Sequence, residues 1–140
     1  LFRSDLKPEQ MDKKQLDIAL EEFFHEVQVN SGTDIQFRKN EPTFTLTSEA
    51  ELSIFRGVQE AITNAMRHGQ ATRITVLLMY NPSQLVVTIK DNGTGAVDLA
   101  PKGGLKSLQE RLRAEGGSVT LEASNPGVTV QMILPNTEKQ

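Results

Sequence analysis

Two apolar, β-branched runs separated by only four residues limit the folds open to this chain. Arg73 to Tyr80 (RITVLLMY) and Leu85 to Lys90 flank Asn81-Pro82-Ser83. A link this short joins antiparallel neighbours, whereas parallel strands need a crossover of a dozen or more residues. A hairpin is therefore predicted, and a parallel doubly wound sheet is excluded. Both alternating sets of side chains contain apolar residues, so the hairpin is expected to be buried on both faces.

Helical periodicity surrounds the hairpin. Leu16, Leu20, Phe23, Phe24 and Val27 recur at three- and four-residue steps, predicting a helix over about 12–28, with Asp12 and Gln15 as a capping box and Asn30-Ser31-Gly32 as its end. A short strand is expected over Asp34–Arg38, and a second around Phe44 and Leu46 after Pro42. Ser48 with Glu51 forms a second capping box, opening a long helix to about His68. Its apolar stripe is Phe55, Val58, Ile62, Ala65 and Met66, and Gly69 ends it. Residues 92–104 hold four glycines and a proline, predicting a mobile loop. Gly104–Ala114 reads as a helix stopped by Gly116-Gly117. Val119, Leu121 and Ala123 form a strand, Asn125-Pro126-Gly127 a turn, and Val128, Val130, Met132 and Leu134 one face of a last strand. The order predicts an α+β two-layer sandwich: about three helices covering one face of a mixed, mostly antiparallel sheet.

The chain's 140 residues suit one domain. A net charge of -3 without a basic block argues against a nucleic-acid surface. The lack of cysteine excludes disulfides and thiolate metal sites. No apolar run approaches the roughly 20 residues that span a bilayer. The abrupt start at Leu1-Phe2-Arg3, without methionine, reads as a fragment of something longer. LFRSDLKP looks like the end of an element broken before Pro8, and the polar tail after Pro135 is expected to fray.

Chemistry concentrates in two stretches. Glu60, Asn64 and His68 recur at four-residue steps and form one helical stripe. It lies opposite Val58 and Ile62, so a solvated face is the plain alternative. Asp91-Asn92-Gly93-Thr94-Gly95 follows the second hairpin strand. Glycines there let backbone amides approach phosphates, as does the start of the next helix at Gly103-Gly104-Leu105. This is neither a Walker A loop nor a dinucleotide fingerprint. Asn64 could give its carbonyl oxygen to a phosphate-bound Mg²⁺. Glu60 could orient or deprotonate an attacking group. Asp91 could accept from an exocyclic amine such as that of adenine, or form an ordinary Asx turn. His68 also suits a helix C-terminus, Arg67 is solvated or phosphate-bound, and His25 is expected to be structural.

Together these residues resemble a known family. EAITNAMRH, from Glu60 to His68, resembles the N box of the GHKL ATP-binding superfamily of histidine kinases, gyrase, Hsp90 and MutL. DNGTG, from Asp91 to Gly95, is similar to its first glycine box, and Gly103-Gly104-Leu105 to its second. QERL from Gln109, Gly116-Gly117 and GVTVQMILP from Gly127 resemble the sensor histidine kinases that pair with NarL-type response regulators. LKPEQMD, from Leu6, resembles the linker leaving their dimerisation helices.

The resemblance implies a Bergerat-type sandwich that binds ATP and Mg²⁺ between the long helix, the sheet and the loop as lid. By match, Asn64 would ligate Mg²⁺, Glu60 would assist phosphoryl transfer and Asp91 would bind the adenine amine. Gly93 and Gly95 would make room for the nucleotide. Arg67, His68, Lys102, Gly103, Gly104 and Leu105 would lie on the phosphate side. Three departures stand out: Lys102 replaces the first glycine of the second box, the lid is short, and Val128 replaces a threonine whose hydroxyl would lie near adenine. The implied division is residues 1–11 as linker remnant, 12–135 as catalytic domain and 136–140 as tail. The implied phosphoacceptor histidine lies on an upstream dimerisation domain, because neither His25 nor His68 sits in the family's H box. The expected setting is a cytoplasmic, monomeric fragment whose parent dimerises, signals to a response regulator and is either soluble or membrane-anchored. A degenerate regulatory nucleotide-binding module and an anti-sigma-type serine kinase are the alternatives.

Overall fold

The computed structural model describes residues 15–96 and 98–137. Its elements are α1 (Leu16–Ser31), β1 (Asp34–Lys39), α2 (Ser48–Arg67), β2 (Arg73–Asn81), β3 (Gln84–Asp91), α3 (Gly103–Ala114), β4 (Ser118–Ala123) and β5 (Val128–Pro135). The five strands lie in the order β1-β2-β3-β5-β4. Only the β1–β2 pair is parallel, and the long helix α2 makes that crossover. The predicted sandwich and mixed sheet are therefore present. The linker-like segment before Gln15 lies outside the described residues.

Strand alternation builds the core. Ile74, Val76 and Leu78 of β2, Leu85, Val87 and Ile89 of β3, and Val130, Met132 and Leu134 of β5 are all buried. They meet Leu20 of α1, Ile54, Val58 and Ile62 of α2, and Leu112 of α3, each at most 1% exposed. Burying one such aliphatic side chain contributes about 1.5–3 kcal/mol. The same alternation continues one step past Ile89 and turns Asp91 towards the helices, where it is 8% exposed. Core burial thus also aims the candidate acid.

The hairpin is not buried on both faces. Its other face carries Thr75, Leu77, Met79, Val86 and Thr88, all half-buried, and an exposed Lys90. The helices cover one face only, and β-branched residues suit a half-covered pleated surface as well as a buried one.

The strand expected around Phe44 and Leu46 is absent; residues 40–47 form an irregular segment. Asn40 occupies the place a strand would take beside β2: its Nδ2 donates to the Tyr80 carbonyl (2.8 Å) and its Oδ1 accepts from the Tyr80 N–H (2.7 Å). Phe44 still buries its ring, edge-on to Tyr80 at 5.3 Å. Pro42 has no N–H to donate, which disfavours a ladder here.

Two helix ends differ from expectation. Thr47, not Ser48, caps α2, its Oγ1 accepting from the Ala50 N–H at 3.1 Å. Thr47→Ala is expected to lower stability by about 1 kcal/mol, measurable as a reduced urea midpoint at unchanged m-value. At the other end of α2 the left-handed residue is Gln70 (φ 54°) rather than Gly69. Helix α1 runs three residues further than predicted, to Ser31, and closes on Gly32 in the left-handed region. At its start Gln15, the N-cap residue, makes no side-chain cap, and Asp12 lies outside the described residues. His25, expected to be structural, is exposed on α1.

Candidate functional site

The residues of the helix stripe and the strand end meet in one cavity of about 560 Å³. Helix α2 contributes Glu60, Asn64 and His68, all on one side at four-residue steps. The sheet contributes Asp91, Leu121, Val128 and Val130, and the loop after β3 contributes Gly95 and Asp98. Lys102, Gly103 and Leu105 close it at the start of α3. The stripe is therefore a pocket wall and not a solvated face, although His68 itself remains exposed. The loop after β3 and the start of α3 enclose this side of the helix.

Asp91 is the buried carboxyl of this cavity, 8% exposed. Its Oδ1 accepts from the Gly93 N–H at 2.8 Å and from the Val128 N–H at 3.3 Å. The first bond is the Asx turn anticipated as an alternative, so turn and site coexist in one side chain. Two bonds on Oδ1 fix the carboxyl plane and leave Oδ2 as an acceptor for a ligand. Around it the lining is apolar: Ala61, Ala65, Leu121, Val128 and Val130. An apolar slot with one strong acceptor suits a flat heteroaromatic ring carrying an amine.

Asn92 holds this turn in place. Its Oδ1 accepts from the Thr72 and Arg73 N–H groups, both at 2.9 Å, and its Nδ2 donates to Thr72 Oγ1 at 3.0 Å. The Thr94 N–H donates to the Gly69 carbonyl at 2.8 Å, tying the loop to the end of α2.

The glycines divide in function. Gly93 does not line the cavity; a Cβ there would lie 2.4 Å from the Gly69 carbonyl oxygen, so it serves the contact between loop and helix end. Gly95 and Gly103 do line it. Gly104 lies instead on a neighbouring cleft of about 860 Å³ between α2 and α3. Arg67, grouped with the phosphates by the resemblance, also lines that cleft rather than the cavity. Glu60 is the wall between the two and faces both. The cleft has Leu52 and Leu108 in its floor and three arginines, Arg56, Arg67 and Arg111, around it. Arg111 donates to the hydroxyl of the buried Ser53.

Sequence reasoning missed Asp98, Ala96 and Ala100 as cavity residues. An acid inside a glycine-rich loop was the available signal for Asp98. Its Oδ1 accepts from the Ala100 N–H (2.9 Å), and Lys102 Nζ lies 3.1 Å from Oδ2. The Ala100 amide first, then Lys102, holds the Asp98 carboxyl below the ordinary carboxylate range.

Among the described residues no group of three or more histidines or carboxylates could cage a metal ion. Magnesium is commonly held by substrate phosphates with one or two protein oxygens. Asn64, in the cavity one helical turn from Glu60, fits that mode. No helix among the described residues is long and apolar enough to cross a membrane.

Comparison with known proteins agrees with this geometry. The oxygen sensor histidine kinase NreB of Staphylococcus carnosus is 29% identical over 139 residues, covering 96% of this chain and 40% of NreB. The sensor histidine kinase MctS of Rhizobium johnstonii is also 29% identical, covering 95% of this chain and 30% of MctS. The chain thus spans well under half the length of these relatives. In fold it is similar to the catalytic domain of histidine kinase ThkA, with a TM-score of 0.70 at 15% identity, covering 89% of this chain and 94% of that one. It is also similar to the ATP-binding domain of PrrB from Mycobacterium tuberculosis, with a TM-score of 0.63 at 22% identity, covering 88% and 92%. Residues 49–138 match the family described as histidine kinase-, DNA gyrase B- and HSP90-like ATPases, and with more than half of its length matched the chain belongs to that family.

Proposed function

We propose that this chain is the ATP-binding catalytic domain of a sensor histidine kinase. The observation that carries this reading is the seat of Asp91. It is a buried carboxyl with one oxygen fixed by two backbone amides, at the end of an apolar slot, across a single cavity from Asn64 and Glu60. In this reading Asp91 Oδ2 accepts from the adenine amine. Asn64 would give its amide oxygen to Mg²⁺, which would supply charge neutralisation for the phosphates. His68, Lys102 and the amides at Gly103 face those phosphates, and Gly95 leaves room for them.

Phosphoryl transfer is mainly positioning and charge stabilisation. Glu60, shared by cavity and cleft, would meet the acceptor on the side away from the nucleotide. The cleft ringed by Arg56, Arg67 and Arg111 gives an acceptor segment its approach. The acceptor histidine belongs to another part of the parent kinase, in keeping with the lack of an H box around His25 or His68. A dimerising parent, a response regulator and a cytoplasmic location complete the proposal. The relatives named as sensor histidine kinases favour it over a serine kinase or a regulatory module.

Calorimetry tests the nucleotide step. ADP is expected to bind with micromolar to millimolar affinity, a range of about 4–8 kcal/mol. A non-hydrolysable ATP analogue is expected to need Mg²⁺ to match it, and Asn64→Ala to remove that Mg²⁺ dependence. Absence of heat with every adenine nucleotide would falsify the reading. Labelled-phosphate incorporation into the longer parent protein, absent in Asn64→Ala, then separates a kinase from a binding module.

A further inference from the structure

Charge is unevenly matched around the cavity. Three carboxyl groups line it, Glu60, Asp91 and Asp98, against one lysine, Lys102. A polyphosphate adds more negative charge to the same space. Each added charge is unfavourable unless a cation turns to meet it.

Among the described residues Lys102 is the one lysine or arginine of the lining, so it can do so without Mg²⁺. Its Nζ rests 3.1 Å from Asp98 Oδ2, and the two side chains are 71% and 55% exposed, so packing holds neither. Asp98 is the better anchored partner, through the Ala100 amide. Lys102 is also the N-cap residue of α3, its carbonyl accepting from Leu105 and Lys106. Its backbone therefore stands at the positive end of that helix, where an anion is favoured. Asp98 offsets this locally, and a phosphate group would do so with more charge. The lysine also occupies the position where the resemblance expects glycine, so the exchange belongs to this chain and not to its glycine box in general.

We propose that Asp98 and Lys102 form a charge latch that sets the preference for nucleoside triphosphate over diphosphate: Lys102 exchanges the Asp98 carboxylate for the terminal phosphate oxygens of the bound nucleotide. This rests on the ATP reading above. An exposed pair is worth little in stability, which is what allows a ligand to take it over. A diphosphate, lacking the outermost group, draws Lys102 away less.

Titration calorimetry with ADP and with a non-hydrolysable Mg-ATP analogue tests the latch. Lys102→Ala is expected to lower the triphosphate-to-diphosphate affinity ratio about threefold, and Asp98→Asn to raise triphosphate affinity about threefold, both shrinking in high salt. Lys106→Ala makes the same change in net charge on the same helix, at a residue outside the cavity lining, and should leave the ratio unchanged. Equal losses of both nucleotides in Lys102→Ala, or an equal ratio shift in Lys106→Ala, would overturn the latch while leaving ATP binding intact. A wild-type chain that binds neither nucleotide would overturn the underlying reading instead.

Discussion

Asp91→Asn is expected to weaken adenine-nucleotide binding about 100-fold while the fold stays intact, because hydrogen bonds to charged groups contribute about 1.5–3 kcal/mol and a mispaired donor adds to the loss. The geometry explains why so small a change has so large an effect. The turn needs an oxygen on the Oδ1 side, where the Gly93 and Val128 N–H groups both point. Asparagine can supply that oxygen, and its nitrogen then replaces Oδ2. A donor now faces the donor amine of adenine. Rotating the amide restores the acceptor to the ligand but turns the nitrogen onto two backbone N–H groups. Neither orientation satisfies both sides. Calorimetry should show the loss in affinity, and thermal unfolding without ligand should change by no more than about 2 °C. Affinity within about threefold of wild type would remove Asp91 from the adenine site.

Much of the framework was legible because it depends on short-range periodicity. The turn residues Asn81-Pro82-Ser83 required the hairpin, and the i, i+3, i+4 stripes of α1 and α2 required one-sided helices. What escaped depends on contacts between segments distant in sequence. Phe44 and Leu46 alternate as a strand would, yet the Asn40 side chain takes the sheet-edge bonds that such a strand would need. Thr47 and Ser48 are both good caps, and only backbone geometry chooses between them.

The site was legible in part for a different reason. Spacing put Glu60, Asn64 and His68 on one stripe but could not say whether that stripe faced water. The similarity of three further segments to a known family supplied the second wall. Even then, motif membership did not separate glycines that admit ligand from glycines that admit backbone. Gly93 and Gly95 are two residues apart in one box, but Gly93 abuts the Gly69 carbonyl and Gly95 lines the cavity. Arg67 adjoins His68 in sequence and still points to the other cleft, because successive residues on a helix are about 100° apart.

Gly127→Ala should be the most damaging single methyl group in the molecule's active half. Gly127 has φ +90°, and a Cβ there would lie 2.0 Å from the Asp91 carbonyl oxygen and 2.5 Å from its Oδ1. Both atoms are held: the carbonyl by strand β3 and Oδ1 by the two amides. Relief must come from parting the start of β5 from the end of β3, which dismantles the seat of Asp91. Left-handed backbone alone costs a non-glycine residue about 1–2 kcal/mol. Gly32 isolates that part, because it has φ +75° and nothing within 4 Å of a Cβ. Gly32→Ala is expected to lose only that 1–2 kcal/mol and to keep nucleotide affinity. Gly127→Ala is expected to lose about 3 kcal/mol or more, with nucleotide binding falling at least tenfold in whatever fraction remains folded. Paired urea titrations and ADP titrations of the two variants measure the difference. Equal losses of stability, with affinity retained in both, would mean that β5 can shift without disturbing Asp91, and the carboxyl would then owe its position to the Asn92 clamp and the Gly93 turn alone.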